Sequence, residues 1–315
     1  MLVGRPAPPG STIGVVTPGS PPESRAEVER GIAWWESEGY RVKLMPGALE
    51  REDWHGGSPE VRAADLQAAF ADPEVEVVQT MRGGYGSAQT IPLLDFDAIR
   101  ETPKAFIGLS DITALHAALL ARAGLATFYG PSLTMFGQPS PPSFTSERFL
   151  RVLGGETTGP VPKDSERLTV VSIAGGKASG RLVGGCLLDF IYTIGTPWEP
   201  DLDGAIFFFD DSGSAPIQID RALLHLDQVG KLEQVRGVVV GELTGASGTT
   251  SRRRRTPRPW RKSSQGVSAG STCPCSTTSR SAMVRRLRRC RSACRQLWTR
   301  IRRRSRSTSP PSPTK

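Results

Sequence analysis

The sequence predicts an α/β protein: a parallel sheet with helices on both faces, followed by a smaller second α/β unit whose order ends at about residue 250. Three observations predict this. Short apolar runs alternate with helix-patterned segments through the first 140 residues. A Pro-, Ser- and Gly-rich stretch then separates them from a second alternation. At residue 251 the composition changes so sharply that the last 65 of the 315 residues read as a different kind of polypeptide.

In chain order, "TIGVVTP" (12–18) is an apolar run ending in Pro-Gly, a buried strand. "PPESRAEVERGIAWWESEG" opens on Pro, carries its acids early and ends at Gly39, the marks of a helix. "RVKLMPG" is a strand, and "SPEVRAADLQAAFADP" is a helix bracketed by Ser58 and Pro73. "VEVVQTM" is a strand running into the glycine-rich "RGGYGS" (82–87). "KAFIGLS" is a strand, "DITALHAALLARAG" a helix and "ATFYGPSL" another strand. The spacing predicts one α/β domain over 1–140 and a connection over 141–167, within a boundary region of about 140–170. A partial second domain follows over 168–250: "GRLVGGCLLDFIYTIGTPW", the strand "AIFFFDD" (205–211), the amphipathic helix "IQIDRALLHLDQVG" and the strand "RGVVVGELTG".

The chain carries 40 basic and 31 acidic residues, net +9, which taken whole suggests a polyanion partner. The charge is not shared out evenly. Residues 251–315 hold 18 Arg, 2 Lys and no acid, whereas residues 1–250 hold 20 basic and 31 acidic residues, net −11. Cys186 is the one cysteine of the first 250 residues; Cys273, Cys275, Cys290 and Cys294 lie in the tail. One cysteine makes no disulfide framework, so the body suits a reducing compartment. The N-terminus lacks the charged start and apolar run of a signal peptide. No segment reaches the ~18 consecutive apolar residues of a membrane span. The expected setting is the cytoplasm, with no membrane contact.

The stretch richest in chemistry is "PKAFIGLSDITALHAAL". A buried strand runs into Gly108-Leu109-Ser110-Asp111 and a helix starts at once, which exposes Ser110 at the carboxyl edge of the sheet above free helix N–H groups. Ser110 is read either as a nucleophile or as the N-cap of that helix, with Asp111 favourable to the dipole. "RGGYGS" is a phosphate cradle, a plain turn, or a backbone oxyanion donor beside Ser110, since βα loops of neighbouring parallel strands lie side by side. Asp210 and Asp211 end a strongly apolar strand, where carboxylates orient a histidine, bind a metal or cap a following element. The histidines do not complete a serine site. His55 reads as surface, His116 lies six residues past Ser110 on the same helix and is rotated away from it, and His225 follows Ile219 and Ala222 as a structural residue. A serine hydrolase needs a base.

Taken together, "STIGVVTPGSP", "RGGYGS", "PKAFIGLSDITALH", "FYGPSL", "GRLVGGCLLDFIYTIGTPW", "AIFFFDD" and "IDRALLHL" resemble the LD-carboxypeptidase family of murein tetrapeptide carboxypeptidases, in the family's order over about residues 10–245. That family includes relatives that inactivate microcin C-type peptidyl-nucleotides. The resemblance implies a flavodoxin-like N-terminal domain, a smaller C-terminal α/β domain, a Ser-Glu-His triad, no metal, no cofactor and a homodimer. It implies Ser110 as nucleophile and the backbone N–H groups of Gly84 and Asp111 as the oxyanion hole. The family's glutamate falls at Asp210, one methylene shorter, and Cys186 stands where Asn is often expected. The family's histidine belongs to a Gly-His-Gly segment followed by Leu-Pro-Leu-Gly, past residue 250. This chain has no histidine after His225, so no catalytic histidine is in frame.

Three readings of the tail follow. An Arg-rich arm would bind nucleic acid, but it has no RGG-type repeat and little interleaved aromatic. Cys273-x-Cys275 is too tight for most zinc sites, which sets Cys290-x-x-x-Cys294 beside no matching pair. The third reading is a shifted reading frame. If codon 282 ends in C, the bases across Ala282-Met283-Val284, taken one frame over, read His-Gly, and Ser281 into Ala282 supplies the preceding Gly. The same shift turns Arg289-Cys290-Arg291-Ser292-Ala293-Cys294 into Leu-Pro-Leu-Gly-Val, Leu297-Trp298-Thr299 into Leu-Asp, and 259–264 into Val-Glu-Glu-Val-Leu. The frame change is placed between about 245 and 255, with an out-of-frame, disordered tail. The expected function is a serine peptidase that removes a C-terminal D-amino acid from murein peptides, impaired here by loss of the histidine. The alternatives are a peptidyl-nucleotide amide hydrolase and, in another class, a non-enzymatic binding protein with a basic tail. A peptide is the expected partner, and nucleic acid is not.

Overall fold

A computed structural model describes residues 1–138, 143–156, 159 and 170–244. The tail readings, including Cys273, Cys275, Cys290, Cys294 and the alternate frame at Ala282-Met283, lie outside these residues.

The first unit is built from strands β1 (Thr12–Val16), β2 (Arg41–Leu44), β3 (Val77–Thr80), β4 (Ala105–Gly108) and β5 (Phe128–Tyr129), with helices α1 (Arg25–Ser37), α2 (Pro59–Ala71), α3 (Phe96–Glu101), α4 (Thr113–Ala118), α5 (Leu133–Phe136) and α6 (Ser143–Leu153). All pairs are parallel and the order is β2-β1-β3-β4-β5. This is the flavodoxin-like order, and its strand order reverses between β1 and β3, where ligands of such sheets bind beyond the carboxyl ends. Strands β1, β3 and β4 are buried along their whole length, as expected of a parallel sheet covered on both faces.

Local chemistry starts the helices. Ser24 and Glu27 form a reciprocal capping box at α1, and Ser58 accepts from the Val61 N–H with Pro59 in the first turn of α2. One layer packs α2, α3 and α4 on the sheet through Leu66, Phe70, Ile99, Phe106 and Leu115. The other packs α1, α5 and α6 through Val28, Trp35, Leu133, Phe136 and Leu153. Within it, Trp35 donates from Nε1 to Gln79 Oε1 (2.6 Å), which satisfies a polar pair in a dry layer.

Three elements differ from expectation. Helix α6 lies inside 141–167, read as a connection; its Phe149, Leu150 and Leu153 pack on the first sheet, and the prolines before it mask the pattern. Strand β5 is two residues long because Pro131 has no N–H for the ladder. The helix after Ser110 is a 3₁₀ turn at 110–112, then α4, then a π turn at 119–123.

The second unit is a parallel sheet in the order β6 (Leu182–Cys186), β7 (Ile206–Ser212), β8 (Gly237–Thr244), with α7 (Leu187–Ile191), α8 (Pro216–Gln228) and α9 (Lys231–Gln234). Val183, Phe190, Phe207, Phe209, Ile219 and Leu226 form its core. It meets the first unit at α4: the Cys186 N–H donates to Thr113 Oγ1 (3.0 Å), and a Cβ on Gly185 would lie 2.5 Å from that same oxygen. Gly185→Ala is therefore expected to cost about 1–3 kcal/mol. It should lower the thermal midpoint by several degrees, whereas Gly175→Ala, in open space, should not. Equal melting of the two variants would remove this account of the junction.

Candidate active site

The site is assembled at the carboxyl ends of β1, β3 and β4. Leu109 is extended and Ser110 then turns to φ +60. Among the described residues only Asp53 and Ser110 combine a side chain with positive φ. Asp relieves that conformation by local hydrogen bonding; Ser gains little, so the turn stores on the order of 1 kcal/mol or more. The N-cap reading fails on geometry, because neither the 3₁₀ turn nor α4 has a side-chain cap. Ser110 is half-buried at a strained strand-to-helix turn, as a nucleophile elbow requires.

The glycine loop after β3 lies on this turn. A Cβ on Gly83 would stand 3.0 Å from Ser110 Cβ and 2.9 Å from the Leu109 carbonyl oxygen. Gly84 has φ +98 and presses on Ser20, whose hydroxyl accepts from the Tyr85 N–H (3.1 Å). The Ser20 N–H in turn donates to the Gly83 carbonyl (3.0 Å), so the loop after β1 and the loop after β3 interlock. The N–H groups of Gly84 and Asp111 have no acceptor among the described residues. Two free donors beside a strained serine are what an oxyanion would use.

The Asp111 side chain has a second role that spacing alone does not reveal. It accepts from the N–H of Gly86 (3.3 Å) and of Ser87 (2.9 Å), while its carbonyl accepts from Ser87 Oγ (2.6 Å). Behind the loop lies Arg62, 2 % exposed, which donates to the carbonyls of Pro18 (2.6 Å), Gly57 (3.0 Å), Ser58 (3.3 Å) and Gly86 (2.8 Å) and to Gln89 Oε1 (2.6 Å).

From the second sheet comes Asp210, with one carboxylate oxygen accepting from Tyr129 Oη (2.7 Å). A register shift between Phe209 and Asp211 bends β7 here, and the absence of a side chain at Gly241 leaves room for Asp210. Burial raises the Asp210 carboxyl, and the Tyr129 hydrogen bond works against that rise. Asp211 faces the other way: buried, it accepts from the Leu188 N–H (3.3 Å) and lies 3.6 Å from Cys186 Sγ, so it caps the preceding α7 rather than a following element. Burial pushes the Cys186 thiol up, with Asp189 adding to it, which keeps it protonated. Asp189 is itself pushed up to about 6, mainly by burial. No cluster of His, Cys, Asp or Glu among the described residues could hold a metal.

The histidines are placed as follows. His55 is half-buried rather than exposed: its ring lies 5.5 Å from that of Tyr85, its Nε2 is shielded without a partner, and a Cβ on Gly86 would collide with it. His225 is on the exposed side of α8. His116 is buried under the elbow, with Nε2 2.9 Å from the Gly108 carbonyl and Nδ1 2.8 Å from Thr127 Oγ1. A carbonyl only accepts, so Nε2 carries the proton and Nδ1 accepts from Thr127. Burial pushes His116 down from 6.5 to about 4. As pH falls from 6.5 toward 4 the unfolded chain binds a proton that the folded chain does not, so stability drops. Asp189 acts oppositely between 3.8 and about 6, because the folded state keeps a proton that the unfolded state releases. The readout is therefore the difference between proteins: His116→Gln should lose less stability to urea between pH 7 and pH 4.5 than the unaltered chain. Parallel losses would remove the assignment.

The profile of the LD-carboxypeptidase N-terminal domain matches residues 13–130, and that of the LD-carboxypeptidase C-terminal domain matches residues 179–273. A probable murein peptide carboxypeptidase of Bacillus subtilis is 37% identical over 73% of this chain and 72% of its own length. The microcin C7 self-immunity protein MccF of Escherichia coli is 30% identical over 80% of this chain and 81% of its own. Among solved structures, an MccF variant in complex with adenosine monophosphate superposes with a TM-score of 0.72 at 26% identity, covering 80% of this chain and 84% of that one. A muramoyltetrapeptide carboxypeptidase from Oxalobacter formigenes gives 0.64 at 29% identity, covering 74% and 77%.

Proposed function

The chain belongs to the LD-carboxypeptidase family, and on that premise we propose that its site is built to hydrolyse the amide before a C-terminal D-residue of a murein peptide. The observation that carries the reading is the strained Ser110 turn under a glycine loop that leaves two N–H groups unused. Ser110 Oγ attacks the carbonyl, the N–H groups of Gly84 and Asp111 hold the oxyanion, and a histidine oriented by Asp210 takes the serine proton and returns it to the leaving amine. Water then releases the acyl group by the same route.

That histidine is missing. His116 is spent on Gly108 and Thr127, His225 is exposed on α8, His55 sits behind Gly86, and no histidine follows. Loss of a triad member costs several orders of magnitude in rate, so the chain as written turns over slowly or not at all. On this reading a frame change between about 245 and 255 accounts for the loss; the family match, which runs in the given frame to residue 273, stands against a change that early. The nucleotide sequence across codons 240–290 tests it directly, and a codon 282 that does not end in C ends the Gly-His-Gly reconstruction.

A second reading takes a peptidyl-nucleotide as substrate. Its support is the likeness to MccF structures in complex with adenosine monophosphate and glutamyl sulfamoyl guanosine, at TM-scores of 0.72 and 0.71. A panel of murein tetrapeptide and aminoacyl-sulfamoyl nucleosides separates the two. Hydrolysis by the unaltered chain that vanishes in Ser110→Ala would overturn the inactivity and keep the family chemistry. A cytoplasmic homodimer is the expected state of either enzyme; no helix among the described residues is long and apolar enough to cross a membrane. The third reading, a binding protein with a basic arm, predicts salt-dependent DNA binding lost on deleting 251–315. Any tail of net +20 binds polyanions, so that result alone assigns no function.

A further inference from the structure

Tyr129 stands in register beside Gly108, at the strand end that leads into the Ser110 turn. Its ring leaves the first sheet and reaches the second. It lies 5.9 Å from the ring of His116 on one side and 5.6 Å from that of Phe208 on the other, both at steep angles. Phe208 and Asp210 alternate onto the same face of β7, so a ring resting on Phe208 brings its hydroxyl to Asp210. That hydroxyl uses both of its capacities: it donates to Asp210 Oδ1 (2.7 Å) and accepts from the Ser110 N–H (3.3 Å).

We propose that Tyr129 is the positioning residue that locks Asp210 onto the Ser110 turn across the two sheets. The bond to Oδ1 fixes the plane of the carboxylate and leaves Oδ2 as the oxygen presented to a base. The bond from Ser110 takes up the one N–H of the turn that would otherwise compete with those of Gly84 and Asp111. The catalytic meaning rests on Ser110 and Asp210 being the working pair; the link itself does not. Burial, then the charge of Asp210 and its hydrogen bond, hold the phenol protonated, so it acts as a donor to Asp210 and not as a base.

The test uses the full chain and needs no turnover. Carboxyl-carbon NMR follows the titration of Asp210, identified by its loss in Asp210→Asn, in the unaltered chain and in Tyr129→Phe. Removing the donor should shift the Asp210 midpoint upward and strip hydrogen-exchange protection from the Ser110 amide, with the ring contacts kept. Unchanged titration and exchange would overturn the proposal. Should Tyr129→Phe fail to fold, Asp210→Asn reads the link from the other end: the alkaline absorbance titration of the Tyr129 phenol should move down, and an unmoved phenol would overturn it as well. Absence of hydrolysis leaves these results untouched, and their failure leaves the hydrolase reading standing.

Discussion

Restoring the alternate frame from about codon 250 onward should raise hydrolysis of a murein tetrapeptide by roughly a thousandfold or more over the chain as written. The reasoning starts from what is already assembled. Ser110 is held at φ +60, the donors of Gly84 and Asp111 are free among the described residues, and Asp210 is tied to the turn through Tyr129. Donors and binding without a base leave only a residual rate, because the serine hydroxyl is a weak nucleophile until its proton is taken. The Gly-His-Gly segment read in that frame across Ser281, Ala282, Met283 and Val284 would supply that proton acceptor. In the restored chain Ser110→Ala should abolish the gain, and Asp210→Asn should remove most of it by leaving the imidazole without its orienting carboxylate. Restoration should also stabilise the second sheet, where Val238 (47% exposed) and Val239 (53% exposed) of β8 now face solvent. A restored chain no more active than the original would show that the alternate frame does not encode the missing base.

The fold was legible where burial leaves a continuous apolar trace. "TIGVV", "VVQT" and "AFIG" are parallel strands covered on both faces, and the turn chemistry between them is local. That the glycine loop would lie against the Ser110 turn was legible for the same reason, since a strand end, a glycine run and a helix start are all short-range signals. What the sequence concealed is what acts at long range. Tyr129 and Asp210 are 81 residues apart, Arg62 and Pro18 are 44 apart, and no spacing rule joins them. His55 was hidden differently: its polar neighbours suggested a surface loop, and only the folded glycine loop covers its Nε2. Helix α6 was hidden by the prolines at 141–142, which make a packed helix begin like a linker.

Arg62→Met should destabilise the protein by about 3 kcal/mol and lower its melting midpoint by roughly 6–12 °C. Arg62 is 2 % exposed, and its five hydrogen bonds go to carbonyls and an amide rather than to a carboxylate. Burying a guanidinium is costly in itself; burial lowers its proton affinity, and the charges of Asp111, Glu52 and Glu60 offset only part of that. Methionine removes this cost, but it leaves the carbonyls of Pro18 and Gly57 without donors, at about 1–3 kcal/mol for each that water cannot reach, and takes one of two donors from Gly86, which keeps the Gln89 N–H. The second effect wins because three separate segments lose their common anchor at once. Arg62→Lys should fall close to Met, since a point ammonium cannot serve a fork of acceptors. The consequence for chemistry follows from where those segments lie. Pro18 belongs to the loop that interlocks with Gly83, and Gly86 belongs to the loop that carries the Gly84 N–H. Asp111 clamps that loop from the elbow side, so losing Arg62 leaves it held by Asp111 and by Ser20, whose own loop has lost its Arg62 anchor at Pro18. In an active, frame-restored chain Arg62→Met should therefore lower kcat more than it raises KM, because a loose oxyanion donor weakens the transition state and not the ground state. A variant within about 1 kcal/mol of the parent would show that water reaches these carbonyls and that the glycine loop holds itself.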